Sequence, residues 1–305
     1  MKTFYLYDHQ GKGSAYRDAM LHGGFSWEMP AEARVIFSDL DMPGRVKPLL
    51  ENLKTRRSLF FIYPHAARVC LVWDGIIRPS PFTSAVFVSA PGHKQVMELY
   101  GLKKTVYVTG WSYCRMLPFM PSTSPRKVLF APIHPSKRGW LSEINKRINA
   151  TTFQKLLLLA QKDEIELWVR YIGRPEGNGI WITDGVNYMQ GSPDLCHEQI
   201  DSADVIVANQ TFAYIAVARG KPTVMMAEGA VPHNSASVDD LQYVNSWEEY
   251  KHLVMYPHDI LDYDNIMALF NKVSKSDDSI REWRESMIGS PFDPKTVVAG
   301  VEEHL

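Results

Sequence analysis

The sequence predicts an α/β protein with two successive domains, each a parallel sheet covered by helices. Two observations support this fold class. Short apolar runs alternate with stretches of helical periodicity along most of the 305 residues, which is the pattern of βα units around a parallel sheet. One Pro- and Ser-rich segment, Met116–Lys127, interrupts the alternation and has the composition of an interdomain linker.

The first half contains six apolar runs of strand length. They are TFYLYD, ARVIFSD, SLFFIY, RVCLVW, SAVFVSA and KTVYVTG. Helical periodicity appears in VKPLLENLKTR and HKQVMELYGL, and the glycine-bearing turn after the first run opens into a further helix. We therefore expect an N-terminal α/β domain over residues 1–120.

The second half repeats this organisation. Its predicted strands are KVLFAPI, IELWVRYI, GIWITD, ADVIVAN and PTVMMAE. A long helix is predicted over Leu141–Lys162, and the run Asn149–Thr152 is a point at which it can split into two. We expect a second α/β domain over residues 121–285, followed by a C-terminal helix over 286–305 that packs back on the first domain.

Several features predict a cytoplasmic protein without integral membrane association. No apolar run approaches the roughly 18 residues that span a bilayer, and the start, MKTFYLYDHQ, lacks the apolar core of a signal peptide. Cys70, Cys114 and Cys196 are far apart and form neither a metal-binding spacing nor a disulfide framework. That usage favours a reducing compartment. The oligomeric state stays open.

The charge is unevenly distributed along the chain. Residues 1–122 contain 15 Lys plus Arg against 9 Asp plus Glu, whereas the whole chain has a net charge of −1. A basic first half indicates an anionic partner. Chance and solubility are the alternative explanation.

The segment SADVIVANQTFAYIAVARGKP contains the strongest candidate for a ligand site. Asn209, Gln210 and Thr211 stand between an apolar run and a helical pattern, where a helix N-terminus offers free N–H groups to an anion. Gly220 is placed to end that helix and Pro222 prevents its continuation. We therefore predict a phosphate site at residues 209–211, with an ordinary helix N-cap as the alternative.

The order strand, polar turn, short helix, Gly-Lys-Pro and strand resembles the donor half of GT-B glycosyltransferases. It is particularly similar to the branch of CDP-glycerol glycerophosphotransferases and UDP-GlcNAc 2-epimerases, although Asn209-Gln210 replaces their acid and serine-rich turn. The resemblance implies a GT-B-like fold, two Rossmann-like domains facing each other across a cleft. It also implies that the turn at residues 209–211 binds the diphosphate of a nucleotide-sugar, the co-substrate of such enzymes.

Two further segments of the second half share the resemblance. KVLFAPIHPSKRG is similar to the first donor-domain strand, which assigns His134, Lys137 and Arg138 to the diphosphate. ELWVRYIGRP is similar to the next strand and offers Arg170 and Arg174. Glu228 follows the strand PTVMMAE, where a carboxylate can accept hydrogen bonds from sugar hydroxyls. We expect a UDP-linked donor, no further cofactor and no metal site.

An inverting transfer needs a base to accept the proton of the acceptor hydroxyl. Asp8 and His9 follow the first strand, and their loop resembles the acceptor-side loop of GT-B enzymes. His65, in FIYPHAARV, is similar to the WHG histidine of the glycerophosphotransferases, with Ala66 in place of the glycine. All three stay candidates, and each also fits a structural role. The predicted acceptor-binding residues are Gly11, Lys12, Gly13 and Arg68.

The predicted acceptor is a hydroxymethylated base in duplex DNA, as modified by viral enzymes, which act in the host cytoplasm. Basic residues interleaved with aromatic ones, among them Phe25, Trp27, Trp73 and Phe82, suit phosphate contacts and base stacking. A flipped base would then reach the site. The alternatives are a glycerophosphotransferase-like enzyme of polyol-phosphate synthesis, a nucleotide-sugar epimerase and a non-catalytic nucleotide-binding module.

Overall fold

The computed structural model describes residues 2–8, 13–39, 58–63, 81–99, 102–133, 139–192, 195–208, 210–226, 266–275 and 278–305. The chain forms two compact units. Unit 1 comprises Met1–Arg115 together with Glu285–Leu305, and unit 2 comprises Met116–Arg284. The predicted strand RVCLVW and the predicted helix VKPLLENLKTR lie outside the described residues.

Unit 1 is built on a parallel sheet, in which the described strands number six. They are β1 (Thr3–Tyr7), β2 (Ser26–Trp27), β3 (Val35–Ser38), β4 (Leu59–Ile62), β5 (Thr83–Val88) and β6 (Thr105–Val108). Their order is β2-β1-β3-β4-β5-β6, and every neighbouring pair is parallel. The helices are α1 (Ser14–His22), α2 (Pro91–Leu99) and, from the end of the chain, α8 (Pro294–Glu302).

The core of unit 1 contains residues from both ends of the chain. Phe37 stacks on Phe61 and Phe87, with ring centroids 5.5 and 5.8 Å apart. Val297 and Val301 of α8 are fully buried in the same cluster. Helix α8 is therefore part of the hydrophobic core that the first 115 residues begin.

Unit 2 has a second parallel sheet, with the order β11-β10-β7-β8-β9 among its described strands. These are β7 (Lys127–Phe130), β8 (Glu166–Tyr171), β9 (Asn187–Gln190), β10 (Val205–Ala208) and β11 (Thr223–Met225). The helices are α3 (Gly139–Gln161), α4 (Cys196–Asp201), α5 (Gln210–Ala218), α6 (Ile266–Val273) and α7 (Asp278–Met287). Residues of α3 and α6 pack on one face of the sheet in a single apolar cluster. The unit boundary falls within α7.

Two predicted elements of unit 2 differ from the structure. GIWITD is not a strand: Trp181 and Ile182 are exposed, and the hydroxyl of Tyr188 donates to the Trp181 carbonyl in a turn before β9. The apolar run is a loop that places Ile180 in the core and leaves the next two apolar residues exposed. Helix α3 continues without a break through Asn149 and Thr152, because both side chains are buried within the unit.

The Gly-Lys-Pro segment has a local structural explanation. Gly220 ends α5 at φ +75°, as the sequence predicts, and a Cβ atom there would lie 1.9 Å from the carbonyl oxygen of Pro118. The Lys221 ammonium donates to the carbonyls of Asp201 and Ala203 at 2.8 and 2.9 Å, at the end of α4. A cation at a helix C-terminus is electrostatically favourable.

Because each sheet is parallel, its strands present their carboxyl ends along one edge. In open α/β sheets that edge binds ligands. No helix within the described ranges is both long and apolar enough to cross a membrane.

Candidate functional site

The start of α5 lies at the carboxyl edge of the unit 2 sheet. Strand β10 is fully buried, and α5 begins two residues after it. Thr211 and Phe212 are half-buried in the first turn of the helix. Backbone N–H groups in a first helical turn have no intrahelical acceptors, so this position can bind an anion.

Arg170 of β8 approaches this helix start from the neighbouring part of the sheet. It is 8% exposed, and its Cζ atom lies 4.6 Å from the centroid of the Phe212 ring. Nε donates to Oε1 of Gln199 at 2.8 Å, and Nη2 donates to the Ser192 carbonyl at 3.4 Å. The guanidinium thus connects β8 with α4, α5 and the turn after β9.

The guanidinium of Arg170 retains hydrogen-bonding capacity. It has five N–H bonds, and acceptors from the described residues account for two of them. Burial lowers its pKa from the usual value, while Cys196 nearby raises it. An arginine remains protonated in proteins, so a positive charge lies in a mostly buried site beside the helix start, and the described residues accept only two of its N–H donors. An anionic group would complete its hydrogen bonding.

Gly191 packs against the guanidinium of Arg170. A Cβ atom at residue 191 would lie 2.7 Å from Cζ of Arg170, so a larger residue there would have to displace the guanidinium. Gly191, Gln199 and Phe212 were not predicted as site residues. No strand was predicted directly before Gly191, so nothing in the sequence marked it as a neighbour of Arg170.

Arg174, the second arginine predicted here, lies in the turn after β8. Its side chain is exposed, and its carbonyl accepts hydrogen bonds from the Gly177 N–H and the Asn178 amide at 3.1 and 2.9 Å. It belongs to the same carboxyl edge as Arg170. It leads into the 3-10 turn Pro175–Asn178.

Five polar side chains follow five neighbouring strands of the unit 1 sheet. They are Asp8, Asp39, Tyr63, Ser89 and Thr109. In each strand, the polar residue comes two positions after a residue of the core cluster that packs on α1. Side chains two positions apart lie on the same face of a sheet. The row therefore lies on the face that α1 covers, at the carboxyl edge. All but Asp8 are buried. This row forms a second polar site.

Asp8 is the predicted catalytic residue that the structure describes. Its carboxylate accepts a hydrogen bond from the Gly13 N–H at 2.8 Å and lies close to the Tyr63 hydroxyl, which donates to the Tyr7 carbonyl at 3.3 Å. A Cβ atom at residue 13 would lie 2.6 Å from the Tyr63 oxygen, so Gly13 allows this close approach. The Asp8 carboxylate is therefore bound to the residue that directly precedes α1.

Tyr63 is the buried centre of the row. Burial, followed by the carboxylates of Asp39 and Asp8, raises its pKa far above the usual value. The hydroxyl stays protonated at neutral pH and donates to the Tyr7 carbonyl. Tyr16 stacks 4.9 Å from the Tyr63 ring and shares a hydrogen bond of 2.9 Å with Thr109.

Ten predicted site residues lie outside the described residues: His9, Gly11, Lys12, His65, Arg68, His134, Lys137, Arg138, Asn209 and Glu228. Gln210 is described only as the first residue of α5. Among the aromatic residues predicted for base stacking, Phe25 is 3% exposed and belongs to the core, because it packs with Phe4 and Met20. Within the described part of the chain, no cluster of His, Cys, Asp or Glu has metal-binding geometry.

Comparison with known proteins identifies the fold. No protein-family model and no curated protein sequence matches the chain. Among solved structures, MurG from Acinetobacter baumannii is 10% identical, with a TM-score of 0.51 over 99% of this chain and 98% of MurG.

Weaker matches are also found. A TarM variant from S. aureus, in complex with UDP, is 11% identical, with a TM-score of 0.48; the match covers 88% of this chain and 54% of TarM, so the chain spans about half of that protein. An α-glucosyltransferase in complex with UDP-glucose and abasic DNA is 11% identical, with a TM-score of 0.37 over 99% of this chain and 98% of that one.

The MurG match covers nearly the whole chain and includes two parallel α/β units. At 10% identity it establishes a common fold rather than a common substrate. The chain has the GT-B fold, the fold of many nucleotide-sugar glycosyltransferases.

Proposed function

We propose that this protein is a glycosyltransferase that moves a sugar from a UDP-linked donor to a hydroxyl of an anionic acceptor. The observation that carries the proposal is Arg170, a buried cation beside the first turn of α5, two of whose five N–H donors bond to described residues. A nucleotide diphosphate would supply negative charge and acceptor oxygens to this cation and to the helix start.

The proposed reaction is a direct, inverting displacement without a metal. The acceptor oxygen forms a bond to the anomeric carbon, the bond from that carbon to the diphosphate oxygen breaks, and the acceptor proton passes to a base. Arg170 and the N–H groups of α5 stabilise the charge that develops on the diphosphate. Donors fixed before the reaction do this without reorganisation.

The remaining assignments follow the sequence. Asp8, His9 and His65 are the candidate bases, and Asp8 is the one whose hydrogen bond from the Gly13 N–H is described. The further proposed donor contacts are His134, Lys137, Arg138, Arg174, Asn209, Gln210, Thr211 and Glu228. The proposed acceptor contacts are Gly11, Lys12, Gly13 and Arg68.

The donor proposal is tested with a panel of UDP-, GDP-, CDP- and TDP-sugars. A ligand that binds only the folded protein raises its melting temperature, and we expect the UDP-sugars to give the largest rise. Arg170→Met should weaken UDP binding about tenfold or more, the effect of losing a charge-assisted hydrogen bond. The matched control is Arg147→Met, which removes an exposed arginine of α3.

Affinity should be measured by calorimetry at a temperature where both variants are folded. The control should bind UDP as the wild type does. Absence of binding for all four nucleotide classes would overturn the proposal, and so would a Kd for Arg170→Met equal to that of the control.

We further propose that the acceptor is a hydroxymethylated base in duplex DNA. The support is the excess of basic residues in residues 1–122 and the exposure of Trp27 and Phe82, which are 45% and 36% exposed. Duplex DNA should bind with an affinity that falls about tenfold or more between 50 and 200 mM salt.

Transfer of labelled sugar to duplexes with and without hydroxymethylated bases tests this acceptor directly. We expect label only in the hydroxymethylated duplex. Transfer to a polyol-phosphate polymer and not to DNA would replace this acceptor with the glycerophosphotransferase-like alternative. Turnover of the UDP-sugar to an epimer without any acceptor would contradict transfer itself.

A further inference from the structure

Asn149 is a fully buried amide in the middle of α3. Its Oδ1 accepts a hydrogen bond from the Ile133 N–H at 2.8 Å, and its Nδ2 donates to the Ile133 carbonyl and to the Asn178 carbonyl, both at 2.9 Å. Ile133 follows β7. The Asn149 side chain therefore bonds to both the N–H and the carbonyl of Ile133, in the segment that follows β7.

Asn178 extends the contact to the next strand. It is 2% exposed, and its Nδ2 donates to the carbonyls of Ile172 and Arg174 at 3.1 and 2.9 Å. These residues follow β8. The two amides thus connect the chain segments after β7 and β8 to each other and to α3.

Gly179 shows how closely this turn packs on α3. It adopts φ +78°, and a Cβ atom there would lie 2.6 Å from the Lys146 carbonyl oxygen, in the turn of α3 before Asn149. The turn therefore has little room to shift along the helix. The position of Asn178 relative to Asn149 is fixed by packing as well as by hydrogen bonds.

The two connected segments lie beside the proposed nucleotide site. Strand β7 lies between β10, which leads into α5, and β8, which carries Arg170. The segments after β7 and β8 are therefore the next parts of the same carboxyl edge. An apolar residue at position 149 would continue the buried stripe of α3, whereas a buried amide must have partners to offset its desolvation.

We propose that Asn149 is a positioning residue for nucleotide binding, which acts by fixing the segments after β7 and β8 at the edge beside α5. The inference rests on the proposed function, since it concerns the same site. Asn149 does not need to contact the nucleotide. Its loss lets two segments of the edge move, and the ligand must then order them at a cost in affinity.

The test compares UDP affinity with stability in four proteins. Asn149→Asp retains the acceptor for the Ile133 N–H but replaces the donor to the Ile133 and Asn178 carbonyls. Asn178→Asp removes only the donors to the carbonyls after β8. Leu156→Ala, in the same helix, removes fully buried apolar volume and no hydrogen bond. Wild type is the fourth protein.

We expect Leu156→Ala to lower Tm and leave the Kd for UDP nearly unchanged, measured by calorimetry below every Tm. Asn149→Asp should raise the Kd about tenfold or more, because it loses two hydrogen bonds. The Kd of Asn178→Asp should lie between those of Leu156→Ala and Asn149→Asp. Hydrogen exchange of the ligand-free protein should show faster exchange at Asn178 and Gly179 in Asn149→Asp and not in Leu156→Ala.

Two outcomes overturn the inference. In one, UDP binds wild type and Asn149→Asp equally well. In the other, Leu156→Ala and Asn149→Asp both weaken UDP binding in proportion to their loss of Tm. That result would mean that Asn149 contributes to stability alone. Failure of the wild type to bind any of UDP, GDP, CDP and TDP is a separate result. It removes the proposed function, and the inference with it.

Discussion

Gly220 and Gly185 both adopt a left-handed backbone conformation, but their surroundings differ. Gly220 has φ +75° and faces the Pro118 carbonyl, whereas Gly185 has φ +80° and has open space around it. A side chain at position 185 would be disfavoured only by the left-handed backbone conformation, because a Cβ atom there has no atom within 4 Å. At Gly220 it must also displace the linker backbone.

Alanine at the two positions should therefore have different effects on the free energy of unfolding. Gly185→Ala should cost about 1–2 kcal/mol, the usual penalty of a left-handed residue. Gly220→Ala should cost about 4 kcal/mol or more, since the clash adds to that penalty. Urea unfolding monitored by circular dichroism measures both values. Equal costs would show that Pro118 moves aside freely.

His93 is a buried histidine at the start of α2. It is 2% exposed, and its Nε2 has no hydrogen-bond partner among the described residues. Burial lowers its pKa from the usual 6.5 to about 3. The folded protein therefore holds this side chain neutral, while the unfolded chain takes up a proton below pH 6.5.

The stability that depends on neutral His93 is complete above pH 6.5 and decreases as the pH falls toward 3. At pH 5 the loss should be about 2 kcal/mol. His93→Leu should remove this component, so the difference in unfolding free energy between wild type and variant should change by that amount from pH 7 to pH 5. His22→Gln, at an exposed position, is the control. Parallel curves for wild type and His93→Leu would contradict the assignment.

Single contacts were the least predictable part of the candidate site. A cation at position 170 was predicted from the resemblance, but its partners Gly191, Gln199 and Phe212 come from three other elements. Sequence periodicity gives the face of a residue and not its neighbour across the sheet. The run Asn149–Thr152 was predicted as a point at which α3 can split, because the partners of Asn149 are backbone groups of distant turns and leave no pattern in the sequence.

At the scale of elements, buried strands were predicted well and surface segments were not. Strands such as β3, β4 and β10 are covered on both faces, so they are continuous apolar runs. GIWITD also contains three large apolar residues, yet only Ile180 is buried, whereas Trp181 and Ile182 are exposed. Helix α4 was missed because six residues are too few for a periodic pattern.

Helix α8 begins at an aspartate cap. Asp293 accepts hydrogen bonds from the Lys295 N–H at 3.0 Å and the Thr296 hydroxyl at 2.7 Å, and Pro294 follows it. These bonds, that of Thr296 first, lower the pKa of Asp293. Its contribution to stability is therefore present above the usual pKa of 3.8 and decreases as the pH falls below it.

Asp293→Ala should destabilise the first turn of α8. Amide exchange at Lys295 and Thr296 should become roughly tenfold faster, since the cap no longer opposes opening of this turn. Asp293→Asn, which keeps an acceptor oxygen, should exchange nearly as slowly as the wild type. Unchanged exchange in Asp293→Ala would mean that the packing of Val297 and Val301 holds the turn without its cap.

At the scale of the molecule, the two-unit parallel architecture was predictable from the alternation of strands and helices. The contacts by which residues 285–305 pack on unit 1 were not predictable, because they join distant parts of the chain. The backbone N–H of Trp111 donates to the Ser290 carbonyl at 2.7 Å, and the backbone N–H of Asp293 donates to the Thr109 carbonyl at 2.7 Å. The ring of Phe292 packs 5.2 Å from that of Tyr16.

Deletion of residues 289–305 should therefore unfold unit 1 and spare unit 2. The deletion removes Phe292, Val297 and Val301 from the core of unit 1 and none of the core residues of unit 2. Limited proteolysis with mass spectrometry should show rapid cleavage within residues 13–39 and a persistent fragment from Met116–Arg284. Protection of both regions in the truncated chain would contradict a structural role for α8.

The two-part composition of unit 1 also determines the order of events during synthesis. A ribosome releases the chain from its N-terminus, and domains commonly fold in that order. Here the first 115 residues emerge without the helix that completes their core, and the whole of Met116–Arg284 follows before that helix is made. The later unit can therefore fold first, while the earlier one waits with apolar surface that chaperones would bind.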